Sequence, residues 1–335
     1  MIERIFTVTS NETNPYRNIA LEALLFECVE RGVCILYLWQ NRHTVVIGRN
    51  QNAWKECRVE DLEASGGFLA RRLSGGGAVY HDLGNLNFTF LLPKDDYDTE
   101  KQSAVILRAV QMAGIDAYRS GRNDIETEGR KFSGNAFYFS GNNAYHHGTL
   151  LVNADLNAAS QYLTVQAGKI KAKGVESVRK RMINLAECKQ DLTIPALQQF
   201  LIAAFDEVYG LAGSPLDKGM LDQERLSALE AKFGDPEWKY GKNPPFQFET
   251  GARFAWGDID IRIDISENRI NSSRFFSDAM DESFILSLSP ILAGVSFTRP
   301  AVQAALKTAF AESPQRLAYC DDILGLIFDA ETQSR

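Results

Sequence analysis

The stretch RRLSGGGAVYHD occupies residues 71–82 and combines two arginines with three consecutive glycines. Glycines let a backbone approach a ligand closely and direct several N–H groups at one anion, and arginines offer planar donors to carboxylate or phosphate. A plain hairpin with a glycine turn is the alternative. Because such a hairpin needs two special residues and gains nothing from paired arginines, the stretch favours an anion-binding loop.

The common nucleotide-binding glycine motifs are absent around this loop. The sequence contains no G-x-x-x-x-G-K-[ST] pattern, and no G-x-G-x-x-G stands between a strand and a helix. A nucleotide bound by this chain would therefore be held by another fold.

The hydrophobic pattern around the loop predicts short strands. FLARRL (68–73), AVYHD (78–82) and NLNFTFLL (85–92) are expected to be consecutive strands joined by tight turns, an arrangement that favours antiparallel pairing. A helix is expected to begin at Asn14-Pro15. Other expected strands cover residues 2–9, 33–39 and 43–48, and expected helices cover residues 99–113 and 194–209, the second ended by Gly210.

The length of 335 residues favours two domains. YGKNPPF (240–246) concentrates Gly, Asn and Pro and is the expected linker. Beyond it, residues 253–265 alternate as one strand, residues 269–278 could pair with that strand, and helices are expected near 281–293 and 299–312. We therefore predict an α+β protein with a large catalytic domain, 1–242, built on mixed and antiparallel sheets flanked by helices, and a small α+β accessory domain, 246–335.

Charge and composition exclude several classes of protein. A net charge of −7 argues against bulk nucleic acid as a partner. The five cysteines are scattered without a C-x-x-C pair, which indicates reduced thiols rather than a disulfide framework. No apolar run is long enough for a membrane span and the N-terminus lacks a signal-peptide pattern, so we expect a cytoplasmic protein.

Two further segments carry candidate chemistry. GRNDI (121–125) precedes GRKFSGNA (129–136), in which Lys131 comes just before a small, glycine-containing strand start that leaves room for an ammonium beside a crowded anionic centre. An exposed turn lysine is the alternative. The pair His146-His147 does not predict a metal site, because adjacent residues of a strand point to opposite faces.

Residues 168–181 are strongly basic, with six Lys and Arg against Glu176 alone. A solvated loop explains this composition. The alternatives are a mobile flap that closes over phosphates, with Gly168 and Gly174 as its flexible points, and a docking surface for an acidic partner.

Taken together, RRLSGGGAVYHD, GRNDI, RKFSGNA, HHGTLL and KGVESVRKRMINL, in this order and spacing, resemble the lipoate-protein ligases over residues 15–210. The residues after the linker resemble the family's smaller accessory domain. The resemblance implies a core like that of class II synthetases and biotin-protein ligases. It also implies a two-step reaction, in which lipoate attacks the α-phosphate of ATP and the lipoyl adenylate then acylates a lysine of an acceptor domain.

The resemblance also assigns roles to residues. Lys131 would be catalytic and would bridge the lipoate carboxylate and the α-phosphate. The expected ATP-binding residues are Arg72, Gly77, Ala78, Val79, Tyr80 and Lys131. The expected lipoate-binding residues are Lys131, Arg72, Ser74, Gly75, Gly76 and His81. Asn123 and Asp124 would lie near Mg²⁺ and the phosphates, with no site formed by protein alone. Candidates for the apolar slot of the dithiolane are Trp39, Val46, Leu73 and His81.

The expected acceptors are the lipoyl domains of 2-oxoacid dehydrogenase E2 subunits and the glycine cleavage H protein, and we expect a monomer. An octanoyl or lipoyl transferase that uses a preactivated donor is the main alternative. It requires a nucleophilic cysteine, and Cys188 is the first cysteine after Lys131. Biotin-protein ligases usually carry arginine-glycine loops of another pattern. A non-catalytic carrier-binding homologue is disfavoured by the intact Lys131 and glycine loop.

Overall fold

A computed structural model describes residues 1–120, 124–164, 181–240, 248–266 and 268–329. The chain divides into two compact units. The N-terminal unit comprises Met1–Ile47, Ala53–Arg72 and Val79–Lys239, and the C-terminal unit comprises Gly48–Asn52, Leu73–Ala78 and Tyr240–Arg335. In the part of the chain that the structure describes, no helix has both the length and the apolar character needed to cross a membrane.

An eight-stranded sheet forms the centre of the N-terminal unit. Its strands, in spatial order, are β11 (Ser214–Pro215), β1 (Arg4–Thr9), β2 (Val33–Trp39), β6 (Asn85–Pro93), β10 (Asn143–Leu151), β9 (Arg130–Ser140), β8 (Asp124–Thr127) and β7 (Tyr118–Ser120). β1 pairs in parallel with β2 and β11, and the other pairs are antiparallel. The sheet is therefore mixed, as expected from the sequence.

The N-terminal unit also contains helices within its described residues. In chain order they are α1 (Pro15–Cys28), α2 (Ala53–Glu56), α3 (Val59–Ala64), α4 (Thr99–Met112), α5 (Leu156–Tyr162), α6 (Leu185–Cys188), α7 (Ile194–Tyr209), α8 (Gln223–Gly234) and α9 (Pro236–Tyr240). The Asn14 side chain caps α1 ahead of Pro15, and Gly210 ends α7 in the left-handed conformation, both as predicted.

The two faces of the sheet differ in polarity. Leu86, Phe88 and Phe90 of β6 pack into an apolar core with α4 and α7. The alternate residues Asn85, Asn87 and Thr89 are also buried but point to the opposite face, and Thr89 contacts α1. Because side chains alternate along a strand, one sheet supplies both an apolar core and a buried polar face.

The expected antiparallel hairpin of residues 68–73 and 78–82 is wrong. β4 (Phe68–Arg71) pairs in parallel with β3 (Thr44–Ile47), and β5 (Val79–His81) pairs antiparallel with the same strand, so β3 lies between them. The crossover through α2 and α3 allows the parallel pairing. The glycine segment between β4 and β5 is not a tight turn, because residues 72–78 separate the two strands. Leu73–Ala78 belong to the C-terminal unit.

The C-terminal unit has its own sheet and core. Its elements are β12 (Phe248–Phe254), β13 (Gly257–Ser266), β14 (Arg269–Ser277), α10 (Glu282–Leu292), α11 (Arg299–Ala309) and α12 (Pro314–Phe328). The single strand expected over 253–265 is instead two strands, which turn back between Phe254 and Gly257. The expected pairing with residues 269–278 is present, whereas α12 was not predicted. Residues of all three helices join the isoleucines of β13 in one core.

Candidate active site

Lys131 lies near the start of β9, where backbone hydrogen bonds and an ion pair both hold it. Its N–H donates to the Arg181 carbonyl at 2.7 Å, and its carbonyl accepts from the Ile183 N–H at 3.0 Å. The Lys131 Nζ lies 2.7 Å from Asp124 Oδ1, and both side chains are half-buried. The backbone position is therefore fixed, while the ammonium stays accessible to an anion.

Gly134 lies beside the end of the Lys131 side chain. A Cβ at Gly134 would lie 3.0 Å from Lys131 Nζ and 3.1 Å from its Cε. The Gly134 N–H also donates to Thr149 Oγ1 on β10 at 3.3 Å. The lysine side chain thus lies over a position of the sheet that has no side chain of its own.

A buried carboxylate organises the polar face of the sheet. Glu22 of α1 is 1% exposed, and its Oε1 accepts from Thr89 Oγ1 at 2.7 Å and lies 2.8 Å from His147 Nδ1. Thr89 Oγ1 in turn accepts from Trp39 Nε1 at 3.1 Å. We call Glu22, Trp39, Thr89 and His147 the Glu22 cluster.

Arg72 is a buried cation near this cluster. It is 6% exposed, and its Nη1 donates to the Val46 carbonyl at 3.2 Å. Burial lowers the pKa of Arg72 to about 10, and the nearby Tyr145 and Glu22 act in the opposite direction. A fixed, desolvated guanidinium is suited to attract a carboxylate or phosphate.

Arg71 has a different role from Arg72. Its Nε donates to the Trp238 carbonyl at 2.9 Å and its Nη2 donates to the Lys239 carbonyl at 2.6 Å. The Trp238 indole N–H returns a bond to the Arg71 carbonyl at 2.9 Å. The first arginine of the motif therefore ties β4 to α9.

Two consecutive residues of β5 make separate aromatic contacts. The Tyr80 hydroxyl lies 2.8 Å from His43 Nδ1, and its ring stacks on Tyr162 with centroids 5.9 Å apart. His81 is buried, contacts Asn41 at 3.3 Å and packs edge-to-face on Trp39. Burial, together with Arg72 and His147, lowers the pKa of His81 to about 3, so its ring is neutral at pH 7.

The glycine segment, Leu73–Ala78, belongs to the C-terminal unit. The Gly76 N–H donates to the Ala279 carbonyl at 3.3 Å, and a Cβ at Gly75 would lie 2.4 Å from the same oxygen. A Cβ at Gly48 would lie 2.2 Å from the Gly76 carbonyl oxygen. By contrast, a Cβ at Gly77 would meet nothing within 4 Å. Close backbone packing thus explains Gly75, whereas Gly77 faces open space.

Some of the expected site residues lie outside the described part of the chain. Asn123 and residues 168–180 of the basic segment lie outside the described residues. Within the described ranges, no group of three or more His, Cys, Asp or Glu side chains is arranged to hold a metal ion. His146 and His147 contact Gln102 and Glu22 on opposite faces of the sheet.

The sequence interpretation missed Glu22, Thr89, His147 and Asn41. A carboxylate inside the apolar helix segment IALEALLF and the alternation of Asn85, Asn87 and Thr89 on β6 were the available signals. Cys188 does not resemble an activated nucleophile. Burial raises its pKa, and Glu128 adds to that effect, so the thiolate is disfavoured.

Comparison with known proteins identifies the family. Residues 14–206 match the model of the lipoyl protein ligase A/B catalytic domain, and residues 243–316 match the bacterial lipoate protein ligase C-terminus. The chain is 41% identical over 319 residues to lipoate-protein ligase A of Psychrobacter cryohalolentis, covering 93% of this chain and 94% of that protein.

Solved structures agree with this assignment. P. falciparum LipL1 in complex with lipoate has a TM-score of 0.84 at 29% identity, covering 96% of this chain and 98% of that one. A lipoate-protein ligase A bound with ATP has a TM-score of 0.60 at 26% identity, covering 72% and 99%. A bi-partite ligase of Thermoplasma acidophilum, studied with its E2 lipoyl domain, has a TM-score of 0.63 at 26% identity, covering 74% and 100%. The chain belongs to the lipoate-protein ligase family, whose members are ATP-dependent enzymes.

Proposed function

We propose that Lys131 is the catalytic residue of the ATP-dependent lipoate ligation that this family performs. One observation carries the proposal. The Lys131 side chain lies over Gly134, and its backbone N–H and carbonyl are both held by hydrogen bonds. A carboxylate and a triphosphate repel each other, so their reaction needs a fixed cation between them. Lys131 would stabilise the charge on the α-phosphate while pyrophosphate leaves, and again while AMP leaves.

Asp124 would release this ammonium when phosphates bind. The Lys131–Asp124 pair is half-buried and solvent-screened, so phosphate oxygens can replace the carboxylate at low cost. Mg²⁺ fits the donor set that remains, because it commonly takes one or two carboxylates plus phosphate oxygens. Asp124 would be its protein ligand, and the ion would neutralise phosphate charge.

We carry the remaining site assignments over from the family motifs. The nucleotide would contact Arg72, Gly77, Ala78, Val79 and Tyr80, and lipoate would contact Arg72, Ser74, Gly75, Gly76 and His81. The buried guanidinium of Arg72 and the open space beside Gly77 support the proposed contacts with the nucleotide and with lipoate. Residues 1–242 would form the catalytic domain and residues 246–335 the accessory domain.

The acceptor would be a lipoyl domain. The archaeal ligase similar to this chain is paired with an E2 lipoyl domain. On this ground we propose lipoyl domains of E2 subunits as acceptors. The glycine cleavage H protein as a further acceptor and a monomeric enzyme are proposals carried over from the sequence.

The decisive experiment measures pyrophosphate release with lipoate, ATP and Mg²⁺, followed by the mass of a purified lipoyl domain. We expect pyrophosphate formation that depends on lipoate, and a gain of one lipoyl group by the acceptor. Transfer of octanoyl groups from a carrier protein without ATP consumption would instead support the transferase. The raised pKa of Cys188 argues against that outcome.

A further inference from the structure

Two asparagines and a histidine form a chain of buried hydrogen bonds in the N-terminal unit. Asn18 Nδ2 faces the backbone carbonyls of Glu12 at 3.0 Å and Gln40 at 2.8 Å. A backbone carbonyl can only accept, so this atom must be the amide nitrogen. The same nitrogen lies 3.0 Å from the Asn41 side chain. An amide nitrogen cannot accept, so Asn41 presents its oxygen there and shares one of the two Asn18 hydrogens with a backbone carbonyl. The orientation of both amides is thus determined by the surrounding backbone.

The tautomer of His81 follows from that orientation. With Oδ1 of Asn41 facing Asn18, its Nδ2 faces His81 Nδ1 at 3.3 Å and donates to it. His81 Nδ1 must then be unprotonated. A neutral imidazole carries a single proton, so this proton resides on Nε2.

Within the described ranges, the Nε2–H of His81 is a donor without an acceptor. The residue is 4% exposed, and among the described residues no partner lies within hydrogen-bond distance of Nε2. Leaving a buried donor unsatisfied costs about 1–3 kcal/mol, and such a group in a site indicates a ligand atom that completes it. Arg72 and the Trp39 ring are neighbours of the same imidazole.

We propose that Asn41 is a positioning residue for lipoate binding: it fixes the Nε2–H tautomer of His81, which donates to an acceptor atom of the acyl substrate. The proposal rests on the proposed function, because that function supplies the substrate. A buried neutral donor can hold such an acceptor without adding a second desolvated charge beside Arg72. The acceptor is either a carboxylate oxygen or a dithiolane sulfur.

The first test reads the tautomer directly in the wild-type enzyme. Nitrogen-15 NMR of ring-labelled histidine should show His81 Nε2 as the protonated nitrogen and Nδ1 as the unprotonated one at pH 7, with the resonances assigned by loss in His81→Gln. The reverse tautomer or a doubly protonated ring would overturn the proposal, whether or not the enzyme ligates lipoate.

The second test reverses the tautomer. Asn41→Asp keeps an oxygen for the Asn18 amide but places an acceptor against His81 Nδ1, which favours a proton on Nδ1, and the nitrogen-15 spectrum of the variant shows whether Nε2 has lost its proton. At saturating ATP we expect the KM for lipoate to rise at least tenfold, with a smaller change in kcat. Asn157→Asp, at an exposed position of α5, is the charge-matched control and should leave both constants unchanged.

Octanoate identifies the acceptor atom because it has the carboxylate and lacks the sulfurs. A KM rise for both acids assigns the bond to an oxygen, and a rise for lipoate alone assigns it to sulfur. An unchanged KM for both acids in a folded Asn41→Asp enzyme whose His81 Nε2 has lost its proton would overturn the proposal. Failure of the wild-type enzyme to release pyrophosphate would instead contradict the proposed function and leave the tautomer assignment standing.

Discussion

The charge of Lys131 is expected to matter for chemistry and little for folding. Lys131→Ala should lower the rate of pyrophosphate release at least tenfold, which corresponds to about 1.4 kcal/mol of barrier. Its half-buried pair with Asp124 contributes only about 0–1 kcal/mol, so thermal unfolding should change little. Lys189→Ala removes a comparable surface pair with Asp191 and serves as the control. A loss smaller than tenfold would show that another group neutralises the α-phosphate.

Substitutions of two glycines near Lys131 are expected to differ, one reducing catalysis and the other reducing stability. Gly134→Ala would press on the far end of the lysine side chain, which can move, so we expect reduced ligation in a normally stable protein. Gly148→Ala would place a Cβ 2.6 Å from Phe88 Cζ and 2.7 Å from the Gly134 carbonyl. That change should lower the unfolding free energy by about 1–3 kcal/mol through overpacking. Urea unfolding and initial rates on both variants check the contrast, and equal destabilisation would contradict it.

Sequence and structure contribute differently at the residue scale. Lys131 and Arg72 could be proposed as site residues from motifs, because the residue types that suit an anion site stand close together in the sequence. The Glu22 cluster could not, because Glu22 is 67 residues from Thr89 and 125 residues from His147. Only the pairing of β6 with β10 brings these two partners side by side beneath α1.

At the scale of elements, the glycine segment is expected to have two functions. Gly75→Ala should destabilise the C-terminal unit, because its Cβ would lie 2.4 Å from the Ala279 carbonyl oxygen. The backbone would have to move to relieve this contact, and that movement costs free energy. Gly77→Val should leave thermal unfolding nearly unchanged and raise the KM for ATP, because the side chain enters open space where the nucleotide is proposed to bind. Calorimetry and ATP titration of both variants test the division. Equal loss of stability in both would favour a purely structural segment.

Local signals predicted the elements better than they predicted their pairing. Asn14, Pro15 and Gly210 mark helix ends through contacts within one turn, so α1 and α7 could be located from sequence. The arrangement of β4 and β5 on either side of β3 depends on a crossover and on where the glycine segment packs. Neither the crossover nor this packing produces a hydrophobic pattern in the sequence, which is why a hairpin was predicted.

At the scale of the whole molecule, the two units are expected to respond to pH in opposite directions. In the N-terminal unit, His81 has a folded pKa of about 3 against an ordinary value near 6.5. Between these values the unfolded chain binds the proton and the folded one does not. The contribution of His81 to stability is therefore complete above pH 6.5 and is lost as the pH falls toward 3.

Glu282 gives the C-terminal unit the opposite dependence. Burial raises the pKa of this carboxyl to about 7 from 4.5, with Asp281 acting in the same direction and Arg316 against it. Between pH 4.5 and 7 the folded state binds the proton more strongly, so stability falls as the pH rises, by up to about 1.4 kcal/mol per pH unit. Glu282→Gln resembles the protonated form and should remove this slope.

Calorimetry at pH 5, 6 and 7 checks this prediction through the difference between wild type and Glu282→Gln, so that all other titrating groups cancel. The transition of the C-terminal unit should be nearly equal in the two proteins at pH 5 and should be higher in the variant at pH 7. The transition of the N-terminal unit should be the same in both proteins and should rise with pH. A constant difference across the range would mean that Glu282 keeps its ordinary pKa, and its burial would then be offset by charge interactions.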